Sequence, residues 1–530
     1  MAETDVIIIG AGVVGAVLAT ELAKRCSVTV LEAGPDERNF STPIDNYIKG
    51  KTPWPEAPPV QGPSKDYLEL SGNYPFKTDY LRRVGGTTLV WSGLAIRMLP
   101  EDFKIASLYG KGVDWPIDYD ELEKWYCKAE KALGVAGDNN DNLGSFRSAN
   151  YPFPPLHLPP ADHWLKEQLE FREYNGQLFH LTNNPQTHNP EICEGSNSCS
   201  PVCPTGAKYT ALTHIASAEK AGAKIQAKSV VYNINTDSAN NVSSVDYLDW
   251  NKQSHNLSAK VVILTAHAIE SAKILLLSSS PTNPNGLANS SNIVGHNLMD
   301  HSTAHAGGFT PEPVYPFRGP NTSAGVDIFR GGEERTKRAA FRVTSSNHGW
   351  LSSKDMQAML VEGFKSNQNP ADVRQECANR FNSQISFSGL VEQLPDINNR
   401  VSLGQGRDAM GLPRPAIHYD LGDYERKGQN ALLDCQKWMV TASGSTLAHS
   451  STSPDLQNHV AGTCRMGHDP ATSVVNSDLR SHDHENLFIV GTSVFPTLGS
   501  SNPTLTATAL SLRLADFIQQ NHLPTLEAEN

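Results

Sequence analysis

The sequence lacks a long apolar run, a surplus of positive charge and any repeat. No window approaches 18 uninterrupted apolar residues; the best, 261–279, is broken by His267, Glu270 and Lys273, which leaves no transmembrane helix to expect. Lys and Arg number 44 against 56 Asp and Glu, a formal net charge of −12, so nucleic acid and anionic membrane would both be repelled. The opening stretch, MAETDVIIIGAG, carries acids where a secretory signal needs Lys or Arg, so any export is expected to use a partner's signal. Low-complexity segments are lacking too, and 38% hydrophobic residues argue against disorder.

Cysteine is sparse, with eight in 530 residues. Five are scattered as buried thiols are, but Cys193, Cys199 and Cys203 crowd into CEGSNSCSPVC with x5 and x3 spacing. Tetrahedral zinc would want a fourth ligand, and the nearest histidines, His188 and His214, lie outside this loop. Three thiolates in a Gly/Ser/Pro loop suit an iron–sulfur cluster. A disulfide with one spare thiol, zinc and an inert loop stay open at this point.

What the chain has is length, 34 prolines and 40 glycines, as expected of an enzyme with two or more domains and long loops. Residues 5–9, DVIII, read as a buried parallel strand, and Gly10-Ala11-Gly12-Val13-Val14-Gly15 follows with dinucleotide-fingerprint spacing. Gly10 permits the turn, Gly12 lets backbone reach a pyrophosphate at a helix N-terminus, and Gly15 lets helix and strand approach. Glu32 ends the next strand, where it would accept from a ribose diol and disfavour a 2′-phosphate; FAD or NAD is implied, not NADP.

Residues 41–79 read as a long, lid-like loop anchored by Trp54 and Tyr67. Gly85-Gly86 and the hydroxyl residues after them, with Trp91 nearby, can lie against a flat ring or phosphates. The spacing predicts a helix within 114–134 capped at Asp118 or Asp120, a boundary over 136–162, and a strand meander over 223–264. Short strands and capped helices between about 300 and 450 read as a second domain. His301, His348, Cys377 and Cys435 there are expected to be packing or surface residues, since none sits in a ligand spacing. Near the end come HVAGTCRMG, the apolar run 487–491, and SSNPTLTATAL, in which Pro503 opens a helix at N1. A helix N-terminus there would stabilise negative charge on a reduced flavin, which favours FAD over NAD. His459 and Asn502 could then face one substrate atom.

Taken together, GAGVVG with LEAGP, RRVGGTTLVWSG, AHAIESAKILLLS, VGHNLMDH, HVAGTCRMG and SSNPTLTATAL make the chain resemble the glucose-methanol-choline (GMC) oxidoreductases over nearly its whole length. The similarity is greatest to the large flavoprotein subunits of bacterial sugar and polyol dehydrogenases. The resemblance implies an α/β fold: a discontinuous Rossmann-type FAD domain (1–160, 205–300 and 456–530), a linker with the cysteine loop (161–204), and an α+β substrate domain with an antiparallel sheet (301–455). It implies flavin contacts at Gly10, Gly12, Gly15, Glu32, Ala33, Gly85, Gly86, Thr87, Trp91, Ser92, Val231, Ala266, Thr492, Ser493, Asn502 and Pro503. His459 would take a hydroxyl proton, Asn502 would hold the same oxygen, and hydride would leave for the flavin. It also implies a three-iron cluster on Cys193, Cys199 and Cys203, a small subunit with an export signal, a cytochrome or other acceptor, and a periplasmic, membrane-attached location. Val90 stands where many relatives place a flavin-linking histidine, so non-covalent FAD is expected. A sugar, polyol or sugar acid remains open as substrate.

Overall fold

The computed structural model describes residues 4–54 and 67–523. The strands Thr4–Ile9 and Val28–Leu31 are almost wholly buried, as the apolar run Val6-Ile7-Ile8-Ile9 and the Val28, Val30 and Leu31 side chains require of strands covered on both faces. They pair in parallel, Ile7 opposite Thr29, and the other edge of the first strand takes Ser254–Leu264, with Ile7 opposite Val262. That long strand does two jobs. Its second half also pairs in parallel with Leu487–Ile489, while its first half runs antiparallel to Val242–Leu248, which pairs with Val230–Thr236. Lys224–Gln226 closes the far edge of this seven-stranded sheet by pairing in parallel with Val28–Leu31. The expected meander over 223–264 is therefore split between a parallel edge and an antiparallel flap.

The helices Val13–Leu22, Tyr119–Leu133, Leu212–Lys220 and Thr504–Asn521 pack around this sheet. Asp118 caps the second of them by accepting the Glu121 N–H at 2.9 Å. The last starts one residue later than expected, with Pro503 as its cap and not its first turn.

A second, six-stranded antiparallel sheet runs in the order 446–456, 302–309, 384–391, 341–346, 324–326, 182–183. The helix Asp423–Ala442 lies on it through Leu432, Cys435, Met439 and Val440, and Cys377 is buried on the inner face of the helix Pro370–Asn382. Here the structure redraws the expected boundaries. The helix Pro160–Leu169 and the edge strand Thr182–Asn183, expected in a linker, join this second core. The hairpin of Arg400–Arg407 and Pro413–His418, expected within the substrate domain, pairs with Glu69–Ser71 and sends Val401 and Ile417 into the first core. Both shifts come from pairings between residues far apart in sequence, which no local pattern records. The stretch 41–79 contains a helix, Ser41–Ile48, and the strand Glu69–Ser71; its centre, 55–66, lies outside the described residues.

Candidate active site

One cavity of about 1140 Å³ runs from the first glycine turn to the seam between the two sheets. At its nucleotide end Gly10 holds φ +110° and hands the chain to the helix Val13–Leu22 at Gly12. A Cβ on Gly15 would stand 2.0 Å from the Gly10 carbonyl oxygen, whereas one on Gly12 would meet nothing within 4 Å and would enter the cavity. Gly86 packs its backbone against Gly12, 3.0 Å from the position of a Cβ to the Gly12 Cα. Glu32 accepts the N–H of Ala11 and of Gly34, each at 2.9 Å. Burial pushes its carboxyl upward from the usual range, and those N–H groups oppose the shift.

The structure brings most of the expected flavin contacts to this cavity: Gly10, Gly12, Glu32, Ala33, Gly86, Thr87, Trp91, Ser92, Val231, Ala266, Thr492, Asn502 and Pro503 all line it. Three do not. Gly15 and Gly85 stand behind the wall as close-approach positions, and Ser493 is turned into the core, its carbonyl accepting the Cys464 N–H at 2.7 Å. Sequence reasoning missed a buried group at the nucleotide end. Arg82 lies 4.1 Å over the Tyr67 ring and 4.8 Å over Tyr80 while bonding Glu270 at 2.6 Å, and Tyr80 stacks on His267 at 4.0 Å. All five side chains line the cavity. A glycine turn at a helix N-terminus, an acid at the next strand end and a long cleft fit FAD in kind and in extent.

At the other end His459 Nε2 and Asn502 Nδ2 stand 3.3 Å apart. Asn502 Oδ1 is buried without a hydrogen-bond partner among the described residues, an orphaned acceptor open to a donor other than the hydroxyl that faces His459. Burial and the neighbouring His301 ring pull the His459 imidazole well below its ordinary pKa, so it is neutral at pH 7 and able to accept a proton. His301 departs from the packing role expected of it: its Nδ1 lies 2.8 Å from His459 Nδ1. His348 also lines the cavity. Neither role has a local signal, because His301 owes its place to the pairing of 299–301 with 457–461 and His348 to the second sheet's share of the cavity wall.

Beyond His459 the chamber is walled by His305, Thr344, Ser346, His348, Trp350, Ser386, Ser388 and His449 among others. Trp350 stands edge-on to His449 at 4.7 Å between ring centres. Burial lowers the pKa of His305, His348 and His449, so this end is neutral and rich in hydroxyl and imidazole groups.

The cysteine loop abuts the same cavity through Ser200 and Pro201. Ser200 Oγ donates to the Val90 carbonyl at 2.7 Å, and the buried Lys208 amine donates to the carbonyls of Leu89, Trp91 and Cys199, tying the loop to the flavin-facing turn. Cys193, Cys199 and Cys203 are free thiols, so the disulfide alternative is not realised. Burial raises Cys193 and Cys199; at Cys203 the N–H groups of Lys208, Thr205 and Ala207 outweigh burial and lower it. Three sulfurs with N–H donors match an iron–sulfur cluster in kind. Among the described residues, however, no three His, Cys, Asp or Glu side chains converge as a metal-holding group.

Comparison with known proteins agrees with this geometry. Two GMC oxidoreductase family models match, over residues 179–303 and 395–511. The chain is 36% identical to the fructose dehydrogenase large subunit of Gluconobacter japonicus, over 97% of this chain and 98% of that one. It is 28% identical to 2-methyl-1,2-propanediol dehydrogenase of Mycolicibacterium austroafricanum, over 98% and 95%. Among solved structures, pyridoxine 4-oxidase from Mesorbium loti superposes with a TM-score of 0.66 at 18% identity, covering 98% of this chain and 99% of the other, a likeness of fold. With a fingerprint cleft suited to FAD, a neutral histidine at its far end and such similarity along its whole length, the chain belongs to the GMC oxidoreductase family, FAD-dependent oxidoreductases acting on CH–OH donors.

Proposed function

We propose that the protein is a dehydrogenase of a neutral polyhydroxylated substrate, a sugar or polyol and not a sugar acid. The observation that carries this reading is the part of the cavity wall that the second sheet supplies, which among the described residues holds the hydroxyl and imidazole groups of His305, Thr344, Ser346, Ser386, Ser388 and His449 and no Lys or Arg, the cavity's cations Arg82, Lys273 and Arg414 coming from outside that sheet. A carboxylate buried there would have no cation to offset its desolvation. Hydroxyls would find donors and acceptors on every side, with an indole as an apolar face. The similarity to a fructose dehydrogenase subunit supports the same class.

FAD bound in the cleft would accept the hydride. The chain's own part is to hold the substrate oxygen between Asn502 and His459, to receive its proton on His459 Nε2, and to keep the site dry. For electron exit, the reading is that Cys193, Cys199 and Cys203 hold an iron–sulfur cluster. Their free thiols, the N–H groups facing each sulfur and the loop's seat beside Val90 support it. A small subunit that carries the export signal, and a cytochrome or other acceptor, complete the proposal, with the periplasm as the location. The test is anaerobic bleaching of the flavin against a panel of sugars, polyols and aldonic acids. Neutral members should bleach it, and bleaching by acids alone would overturn the substrate class. In air, peroxide formed at the rate of substrate loss would instead make oxygen the acceptor.

A further inference from the structure

We propose that His301 is a positioning residue: it fixes the proton of His459 on Nδ1 and so keeps the Nε2 lone pair turned toward the substrate. The proposal rests on the alcohol-oxidation reading above. His301 and His459 are 158 residues apart in sequence. They meet because Met299 and Ala461 exchange backbone hydrogen bonds of 3.0 and 2.9 Å, and because Asp300 Oδ1 accepts the His459 N–H at 2.8 Å. The two rings then cross edge to face, with centres 5.0 Å apart at 89°.

The direction of the bond between the rings follows from what each nitrogen faces. Nδ1 of His301 and Nδ1 of His459 are 2.8 Å apart, so one of them donates and the other accepts. Nε2 of His301 faces the carbonyl oxygen of Gly499, which can only accept; its hydrogen is therefore on Nε2. A neutral imidazole carries a single N–H, and burial keeps His301 neutral, its pKa drawn down to about 4. Its Nδ1 must accept, which places the His459 proton on Nδ1 and leaves Nε2 bare, facing the Asn502 amide. The chain of donors runs from His459 through His301 to the Gly499 carbonyl.

This order suits the reaction. FAD held in the cleft would accept the substrate's C–H hydrogen with its electron pair; on the chain's side the O–H proton passes to His459 Nε2 as the C–O bond becomes C=O. His459 finishes as an imidazolium whose Nδ1–H still donates to His301, a charge-assisted bond stronger than the neutral one. Without an acceptor at His301 the ring can carry its proton on Nε2, the form that takes nothing from a hydroxyl.

The test is anaerobic stopped-flow flavin reduction on the FAD-loaded protein, separating the limiting rate from the substrate Kd. His301→Leu removes the acceptor; His301→Asn keeps one near the Nδ1 position; His301→Gln keeps the bond to Gly499 alone. The expected result for His301→Leu is a limiting rate lowered about 10- to 100-fold, within the reach of a general base worth about 10²–10⁴, with Kd inside about twofold. His301→Asn should recover most of the rate and His301→Gln should not. If the Leu variant does not fold, the Asn-to-Gln ratio decides. Equal rates in those two variants, a fast His301→Leu enzyme, or a loss confined to Kd would each overturn the proposal. His459→Ala separates the two levels. Wild-type flavin reduction in that variant sinks the role of His459 itself, whereas a slow His459→Ala beside a fast His301→Leu sinks only the tautomer lock.

Discussion

Replacing Gly12 by alanine should weaken FAD binding while leaving the folded apoprotein as stable as before. Gly12 sits at φ −76° and ψ −171°, extended backbone open to any residue, and its Cβ would meet nothing within 4 Å. The new methyl therefore strains nothing in the protein. It enters the cavity where the helix N-terminus would approach a pyrophosphate. Overpacking of a close contact costs about 1–3 kcal/mol, a Kd about 5- to 140-fold weaker. Gly15→Ala provides the contrast. Its methyl would stand 2.0 Å from the Gly10 carbonyl and 2.7 Å from Thr265 Oγ1, so the backbone turn must move and the apoprotein itself loses stability. Titration of apoprotein with FAD by fluorescence quenching, beside apoprotein melting, reads both quantities. FAD bound by Gly12→Ala within about twofold of wild type, or an apoprotein Tm lowered as far as in Gly15→Ala, would refute the placement of the pyrophosphate at this turn.

Three further outcomes are expected. Because the His459 pKa lies well below 6.5, its base form persists on the acid side, and the rate of flavin reduction should hold as pH falls through 6.5; a half-maximal rate at or above that pH would refute the buried neutral base. Stability is the poorer readout. His301, depressed to about 4, contributes stability that is complete above its unfolded value of 6.5 and lost as pH falls through 4, whereas Asp300, raised to about 7, contributes stability present below 3.8 and lost as pH rises through 7. For the bound groups, acid precipitation should leave FAD in the supernatant, since Val90 and no histidine lies at that point of the cavity wall. Iron and sulfide analysis should find a cluster in wild type and none in Cys199→Ser; a wild-type preparation without iron would end the cluster reading.

The sequence by itself determined the parts whose chemistry is local. Strand, glycine turn, helix and Glu32 occupy 4–32, and the turn needs glycine for reasons of φ and close approach that neighbouring residues set. The helix at 119–133 announces itself by Asp118 and an apolar face. His459 and Asn502 were legible only as parts of motifs similar to those of a family, because nothing in a histidine before a glycine turn says which way its ring points. The tertiary structure decided the rest. It paired 299–301 with 457–461, which made His301 a partner of the base and not a packing residue. It closed the second sheet over the flavin cleft, turning His348 and Trp350 into chamber wall, and moved 160–169, 182–183 and 400–418 across the expected boundaries. The physical reason is the same in each case: periodicity and turn chemistry act over a few residues, while strand pairing and burial are settled between segments more than a hundred residues apart, where only the packed chain records the contact.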